Sequence, residues 1–226
     1  MFSVIRSGVA VVVALSLPGC GSGADSSRSA PTSAAAVSRS PIITTLSVTR
    51  GSTSGGTSVN ITGTELHRGA TVTFGTAAVR TAFDPRYPDT AVVETPAHPA
   101  GLIDVTLVNI DGQTFRLSRG FEYVPPESFE LNGNWGGYTA DGTDTFLEFT
   151  IRNNVLVTAS CRSAESWDVT RTAALSTAVG NGEFSSKPHD AFVLSGRIVS
   201  DFQVVGQMGA PCSSGIHPFR AILPDR

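Results

Sequence analysis

Side chains able to serve as nucleophiles or bases are scattered along this chain without a recognisable arrangement. The sequence has no Gly-x-Ser-x-Gly elbow, no His-Glu-x-x-His pair and no Cys-x-x-Cys pair. Its four histidines, His67, His98, His189 and His217, stand beside proline, glycine or polar residues. Because serines occur throughout, a spatial triad built on His189 with Asp190, or on His217, stays open. We predict no catalytic residue and no cofactor, and therefore a protein that is not an enzyme.

Three aromatic residues of the second half offer a different chemistry, the stacking of sugar rings. Trp135 and Tyr138 bracket a pair of glycines, and Trp167 lies in a polar stretch. Flat faces with an apolar body and a polar tip suit such stacking. The alternative, which the sequence favours, is that the tryptophans fill the core of a small β domain. All three residues are kept as candidate ligand-binding residues.

Metal-ligating residues are too sparse to predict a metal site. Asp141 and Asp144 offer oxygen ligands for calcium, but no third acidic partner stands nearby in the sequence. Neither Cys161 nor Cys212 has a second thiol or an imidazole at ligand spacing, although His217 follows Cys212 by five residues.

The first nineteen residues have the organisation of a secretion signal. Arg6 precedes an apolar run over residues 9–17, and small residues follow. The run is about half of the roughly 20 residues that a membrane-spanning helix needs. The pattern therefore predicts a cleaved signal peptide at residues 1–19 and not a transmembrane helix.

The end of this leader, Leu17-Pro18-Gly19-Cys20, resembles the lipobox of bacterial lipoproteins. The resemblance implies that Cys20 carries diacylglycerol on its sulfur, becomes the first residue after cleavage and often receives a further acyl chain, commonly palmitate. Pro18 departs from the usual small or aliphatic residue, and an ordinary secretion signal with a chance cysteine is the alternative. Gly21, in place of aspartate, implies the outer membrane if the source has two membranes. We therefore expect a lipid-anchored protein of the cell envelope.

Cys161 and Cys212 remain as a pair if Cys20 is lipidated. In an oxidising, exported setting the pair predicts a disulfide, with two free thiols as the alternative. Closing a loop of about fifty residues would contribute about 4 kcal/mol in the chain-entropy model.

Residues 20–40 are predicted to be a disordered tether. They are almost entirely Gly, Ser, Ala, Thr, Pro, Asp and Arg, a composition that cannot bury a core. Its root-mean-square reach of about 25 Å would hold a folded part clear of the membrane.

From Pro41 onward, short apolar runs alternate with turn residues, which predicts an all-β protein. Val59 with Ile61, Val72 with Phe74, and the set Ile103, Val105 and Leu107 each mark one face of a strand. Asp111-Gly112 predicts a hairpin with a type I′ turn.

Residues 41–124 resemble the IPT/TIG family, an immunoglobulin-like β-sandwich. The resemblance rests on Pro41-Ile42, residues 55–63 and 69–75, Thr95-Pro96-Ala97, Gly101 with residues 103–109, Asp111-Gly112 and Phe121-Glu122-Tyr123. It implies a protein-interaction or spacer module, since such domains occur in surface receptors and in polysaccharide-binding lipoproteins.

Residues 127–226 are predicted to form a second all-β domain, a small sandwich or barrel. Strands are expected at 146–151, 155–159, 191–194, 198–208 and 219–223, with turns at Asn153-Asn154 and Asp141-Gly142. Pro125-Pro126 is expected to act as a stiff spacer between the two domains. Gly133-Asn134-Trp135, with Arg220 near the end, is similar to lipocalin-like barrels, in which such an arginine packs on the tryptophan.

The charge and composition of the chain limit the classes of partner that it is expected to bind. The formal charge of the chain is −3, 15% of its residues are charged, and Lys187 is its single lysine. No basic run exists to bind a phosphate backbone, so no nucleic-acid partner is expected. We expect a non-catalytic binding, adhesion or interaction protein, held to the membrane through Cys20, with an unknown protein or polysaccharide ligand. A polysaccharide-binding surface lipoprotein is the first alternative, and a small envelope hydrolase or a lipocalin-like carrier is the next.

Overall fold

The computed structural model describes residues 39–83, 86–162, 170–186, 192–209, 211 and 215–224. Contacts group Ser38–Arg226 into one compact unit. Cys20, Trp167, His189 and Cys212 lie outside the described residues. Within the described residues, no helix is long and apolar enough to span a membrane.

The first half of the described chain is a two-layer β-sandwich. One sheet has the strand order β1-β3-β7-β6 and the other has the order β2-β9-β8-β4-β5, in which β2 runs parallel to β9. Its strands are β1 (Ile42–Leu46), β2 (Arg50–Ser52), β3 (Ser58–Thr64), β4 (Thr71–Phe74), β5 (Ala77–Arg80), β6 (Ala82–Phe83), β7 (Thr90–Glu94), β8 (Gly101–Val108) and β9 (Thr114–Val124).

Alternation along these strands builds the first core. Val59 and Ile61 of β3 and Val72 and Phe74 of β4 are buried between the sheets, because successive side chains of a strand point to opposite faces. The apolar periodicity of the sequence is confirmed here.

The β8–β9 hairpin forms where Asp111-Gly112 predicted it, but with a different turn. Gly112 has φ +84°, whereas Asp111 is not in the positive-φ region that a type I′ turn requires. The Gly112 N–H donates to the Asn109 carbonyl at 3.0 Å, and the Asn109 N–H donates to the Gln113 carbonyl at 2.9 Å. The connection is therefore a type I turn closed by a left-handed glycine.

The second half of the described chain is one antiparallel sheet of eight strands. Their order is β13-β12-β11-β10-β17-β16-β15-β14, so the first strand, β10, pairs with the last, β17, and the sheet is nearly closed. Its strands are β10 (Gly133–Thr139), β11 (Phe146–Arg152), β12 (Val155–Arg162), β13 (Arg171–Ala178), β14 (Glu183–Ser185), β15 (Leu194–Ser200), β16 (Gln203–Met208) and β17 (His217–Ile222).

Side chains that point into this curved sheet form the second core. Trp135 stacks on Phe149 with ring centroids 6.2 Å apart, and Phe149 also contacts the rings of Phe184 and Phe219. The indole Nε1 of Trp135 donates a hydrogen bond to the Leu131 carbonyl at 3.1 Å. The inside of the sheet is thus packed with aromatic side chains.

Two strand predictions in this half are wrong. A strand was expected at 191–194, but Phe192 and Val193 are not in a strand, and β15 begins only at Leu194. The single strand expected over 198–208 is two strands joined by a tight turn at Asp201 and Phe202. The turns at Asn153-Asn154, where both residues have positive φ, and at Asp141-Gly142 are confirmed.

The interpretation of Pro125-Pro126 as a spacer is wrong, because the two halves contact each other directly. Pro126–Ser128 is one turn of 3-10 helix that follows immediately after β9. At the β15–β16 turn, Phe202 packs against the core of the sandwich. The amide of Gln203 bonds both backbone groups of Ser58, accepting from its N–H at 2.9 Å and donating to its carbonyl at 3.0 Å.

Candidate functional site

The outer face of the second sheet carries the candidate site, and alternation decides which side chains reach it. On β10, Trp135 points inward whereas Asn134 and Tyr138 are exposed. On β11, Leu147 and Phe149 are buried, so Phe146 faces out. The sheet register then places Tyr138 directly opposite Phe146.

Tyr138 and Phe146 form an aromatic pair on this outer face. Their ring centroids lie 4.9 Å apart at 55°, and Tyr138 is 51% exposed. Arg162 of β12, opposite Phe146 in the register, places its guanidinium carbon 5.4 Å from the Phe146 ring centroid. This cation–π contact restrains Phe146 from the side away from Tyr138.

A groove runs beside the aromatic pair, and we call it the aromatic groove. It encloses about 550 Å³ and is lined mainly by apolar groups. Its floor is the backbone of β10 at Gly136 and Gly137. Its lining includes Tyr138, Phe146, Ile222 and Pro224.

A more polar depression adjoins the aromatic groove and extends over β10, β11 and β12. This depression of about 340 Å³ shares Gly136, Phe146 and Pro224 with the groove. Its polar side chains are Asn134, Glu148, Thr150, Thr158 and Ser160. The surface therefore joins an apolar half to a half rich in hydroxyl, amide and carboxylate groups.

Of the two predicted platform residues that the structure describes, Tyr138 is exposed at this surface and Trp135 is buried. Trp135 is 1% exposed and cannot offer a face to a ligand at the surface. Trp135 packs in the core of the second sheet, as the sequence favoured. Trp167 lies outside the described residues.

The lipocalin-like contact of Arg220 with Trp135 is not formed. Arg220 lies between the buried Phe219 and Ala221 of β17, so its side chain faces outward. It donates hydrogen bonds to Glu94 of the sandwich and, at 3.3 Å, to Gln203. Trp135 is inside the sheet, on the opposite face of the strand layer.

His217, the described member of the suggested triads, pairs with Asp141. Its Nδ1 lies 2.7 Å from Asp141 Oδ2, and the Thr143 hydroxyl donates to Asp141 Oδ1 at 2.8 Å. These hydrogen bonds, that of His217 first, lower the pKa of the Asp141 carboxyl. The pair ties the β10–β11 turn to the start of β17, which is a structural role.

The remaining residues singled out in the sequence are the two cysteines and Asp144, and the structure describes only some of them. Cys161 is buried in the second core on β12, whereas Cys212 lies outside the described residues, so their pairing stays a prediction. Asp144 has φ +50° in the turn near Asp141. Among the described residues, no group of three or more His, Cys, Asp and Glu side chains is placed to hold a metal ion.

Sequence reasoning missed Phe146, Arg162 and Ile222 as site residues. Phe146 is the first residue of a run that has the composition of a buried strand. Ile222 belongs to a different strand and follows Tyr138 by 84 residues in the sequence. Tyr138 and Ile222 lie in the same groove only because β17 pairs with β10, which joins the two ends of the second half. The one sequence signal was the period-2 alternation that sets Phe146 apart from Leu147 and Phe149.

The described chain is an immunoglobulin-like sandwich joined to a nearly closed eight-stranded sheet. Residues 41–123 match the family model of the IPT/TIG domain, so the sandwich belongs to that family. A comparison with curated protein sequences finds no match for the chain.

Proposed function

We propose that the protein is a lipid-anchored, non-catalytic binding protein of the cell envelope that holds polysaccharide in the aromatic groove. The observation that carries the proposal is the outward-facing pair of Tyr138 and the half-buried Phe146 beside a floor of glycine backbone. IPT/TIG domains serve binding and interaction, which supports a non-catalytic role for the protein.

The aromatic groove suits a sugar ring because it combines flat apolar walls with a polar border. Aromatic side chains bury apolar area with little loss of side-chain freedom. An added Cβ at Gly136 would have only Phe146 within 4 Å, at 3.5 Å, so the ligand can approach the backbone there. The amide of Asn134 and the carboxylate of Glu148, on the adjoining polar half, are suited to bind hydroxyl groups.

The charges around the aromatic groove favour a neutral polysaccharide. Arg220 is paired with Glu94, and Arg162 lies 4.0 Å from Glu148. An acidic ligand would have to displace these carboxylates and lose their attraction to the arginines. A neutral ligand can bond both members of each pair through its hydroxyls.

Retention on insoluble polysaccharide tests the binding proposal. We expect the full chain in detergent to be retained on at least one of the two neutral polysaccharides starch and cellulose. Tyr138→Ala with Phe146→Ala should weaken retention about tenfold or more, since both stacking faces are lost.

The matched control for this experiment is Tyr87→Ala. Tyr87 is a tyrosine of the sandwich that is 63% exposed and lies outside the aromatic groove. Its loss should leave retention unchanged. Equal retention of the double variant and the wild type would show that the polysaccharide binds elsewhere, and the proposal would then be wrong.

The lipobox-like sequence that ends at Cys20 supports the anchoring part of the proposal, and acylation of this cysteine can be tested separately. We expect the full chain to incorporate labelled palmitate and to enter the detergent phase on phase separation. Cys20→Ser should abolish the label and the partitioning, because the sulfur carries the first lipid; two or more acyl chains are needed for stable anchorage. A wild-type chain that takes up no label would refute the anchor.

A further inference from the structure

A second groove lies on the same outer face, between the sheet and the sandwich, and we call it the interdomain groove. It encloses about 590 Å³ and includes Gly56 and Glu94 of the sandwich in its lining. From the sheet it takes outward side chains of β14 to β17. They include Glu183, Ser185, Ser195, Arg197, Val205 and Arg220, and also Gln207.

The two grooves meet at Arg220. Arg220 and Ala140 line both of them. The hydrogen bond from Arg220 to Glu94 fixes the border between the grooves and links it to the sandwich. No strand interrupts the outer face at this point, since β17 pairs with β10 on one side and β16 on the other.

One row of side chains runs through both grooves, and we call it the transverse row. Each member lies opposite the next in the sheet register, so the row crosses seven strands at right angles to them. Its members are Glu183, Arg197, Val205, Arg220, Tyr138, Phe146 and Arg162.

We propose that an unbranched, neutral polysaccharide follows the transverse row over the curved sheet and occupies both grooves at once. The proposal rests on the function proposed above and extends its site to the interdomain groove. Six strand spacings of about 4.8 Å give the row a path of about 29 Å along the surface, which is enough for several consecutive sugar units. Because the sheet is nearly closed, this path is curved, and the bound chain must curve with it. The protein then recognises an internal stretch of chain and requires a minimum chain length.

Contacts with the sandwich hold the interdomain half of this site in place. The Arg197 guanidinium donates to the Gly55 carbonyl at 2.8 Å, and the Thr57 hydroxyl donates to the Val199 carbonyl at 2.5 Å. Arg50 of the sandwich pairs with Asp201 at 3.2 Å. A groove held by such bonds is preformed, so a ligand spends less binding free energy on ordering it.

The charges of the interdomain groove agree with a neutral ligand. Arg197 already has a backbone acceptor and lies opposite Glu183 in the register, and Arg220 is paired with Glu94. Filling the groove with a carboxylated chain would set that chain against both glutamates. Hydroxyl groups can instead donate to the glutamates and accept from the arginines.

Binding of malto- and cello-oligosaccharides, from disaccharide to octasaccharide, tests the proposal by calorimetry on the full chain in detergent. We expect affinity to rise with chain length in at least one series until the chain spans the row. Gln207→Trp, which fills the interdomain groove from an exposed position, should weaken octasaccharide binding about tenfold and leave disaccharide binding unchanged.

Ser176→Trp is the matched control, because Ser176 is an exposed residue of β13 that lines neither groove. It should bind both lengths as the wild type does. A disaccharide that binds as tightly as the octasaccharide, or an octasaccharide insensitive to Gln207→Trp, would overturn the extended site while leaving the aromatic groove in place. Absence of binding at every length in both series would overturn the proposed function as well.

Discussion

Trp135→Ala is expected to lower the free energy of unfolding by about 3–5 kcal/mol, the usual cost of truncating a large buried aromatic side chain. The indole is 1% exposed and stacks on Phe149. Its loss also leaves the Leu131 carbonyl without the hydrogen bond from Nε1. Urea unfolding followed by circular dichroism gives the change, read from the midpoint at constant slope.

Tyr138→Ala is the control for Trp135→Ala, because Tyr138 lies three residues further along the same strand but on its outer face. We expect it to change stability by less than about 1 kcal/mol. If Trp135→Ala does not fold, Trp135→Phe provides the measurement, since it keeps a ring and loses only the hydrogen bond and part of the volume. A stability cost for Tyr138→Ala equal to that of either tryptophan variant would contradict the assignment of inner and outer faces.

The sandwich was predictable in detail because its strands obey local rules. Val59 and Ile61 alternate with polar neighbours, and one face of β3 is buried as the alternation requires. The hairpin at Asp111-Gly112 was also predictable. Its turn type was not, because Asp-Gly is compatible both with a type I′ turn and with a type I turn that ends in a left-handed glycine.

The second sheet was less predictable because one of its turns contains a large apolar residue. Phe202 follows Asp201 in the β15–β16 turn, where an apolar residue disguises the boundary between two strands. The structure gives the reason: Phe202 packs against the core of the sandwich. A contact between the two halves, which local sequence does not encode, determines the residue type at this turn.

The candidate site could be predicted only in part, for a similar reason. Tyr138 was identified because exposed aromatic residues beside glycines favour ligand stacking. Phe146 was not, and Arg220 was assigned a contact with Trp135 that it does not make, because both roles depend on the register of β11 and β17 against β10. Glu94, which bonds Arg220, comes from the sandwich, 126 residues away in the sequence.

Direct packing of the two halves changes the interpretation of the IPT/TIG domain in this protein. As a spacer it would only set the position of the second sheet along the chain. Here Gly56 and Glu94 line the interdomain groove, and Ser58 is bonded to Gln203. The domain is thus part of the proposed binding site as well as part of the scaffold.

Gly137→Ala is expected to cost several kcal/mol or to prevent folding of the second sheet, whereas Gly136→Ala should be tolerated. A Cβ at Gly137 would meet the Arg220 carbonyl oxygen well inside contact distance and would lie 2.6 Å from the Ala221 Cα. These are backbone atoms of β17, so relief requires the β10–β17 pairing to open, which costs more than the about 1–3 kcal/mol of ordinary overpacking. That pairing joins the first and last strands of the second half in the middle of the eight-stranded sheet.

Gly136 is the internal control for this prediction, since it is the preceding residue of β10 and has no positive φ. Its added Cβ would lie 3.5 Å from Phe146, an ordinary contact distance, and alanine reduces the freedom of the unfolded chain. Thermal unfolding of the two variants should therefore differ widely, with Gly136→Ala close to the wild type. Gly136→Ala should nevertheless weaken polysaccharide retention, because its methyl group fills part of the floor of the aromatic groove. Similar stability of both variants would mean that β10 and β17 are not paired in the register described, and the transverse row would then lose its continuity at Tyr138 and Arg220.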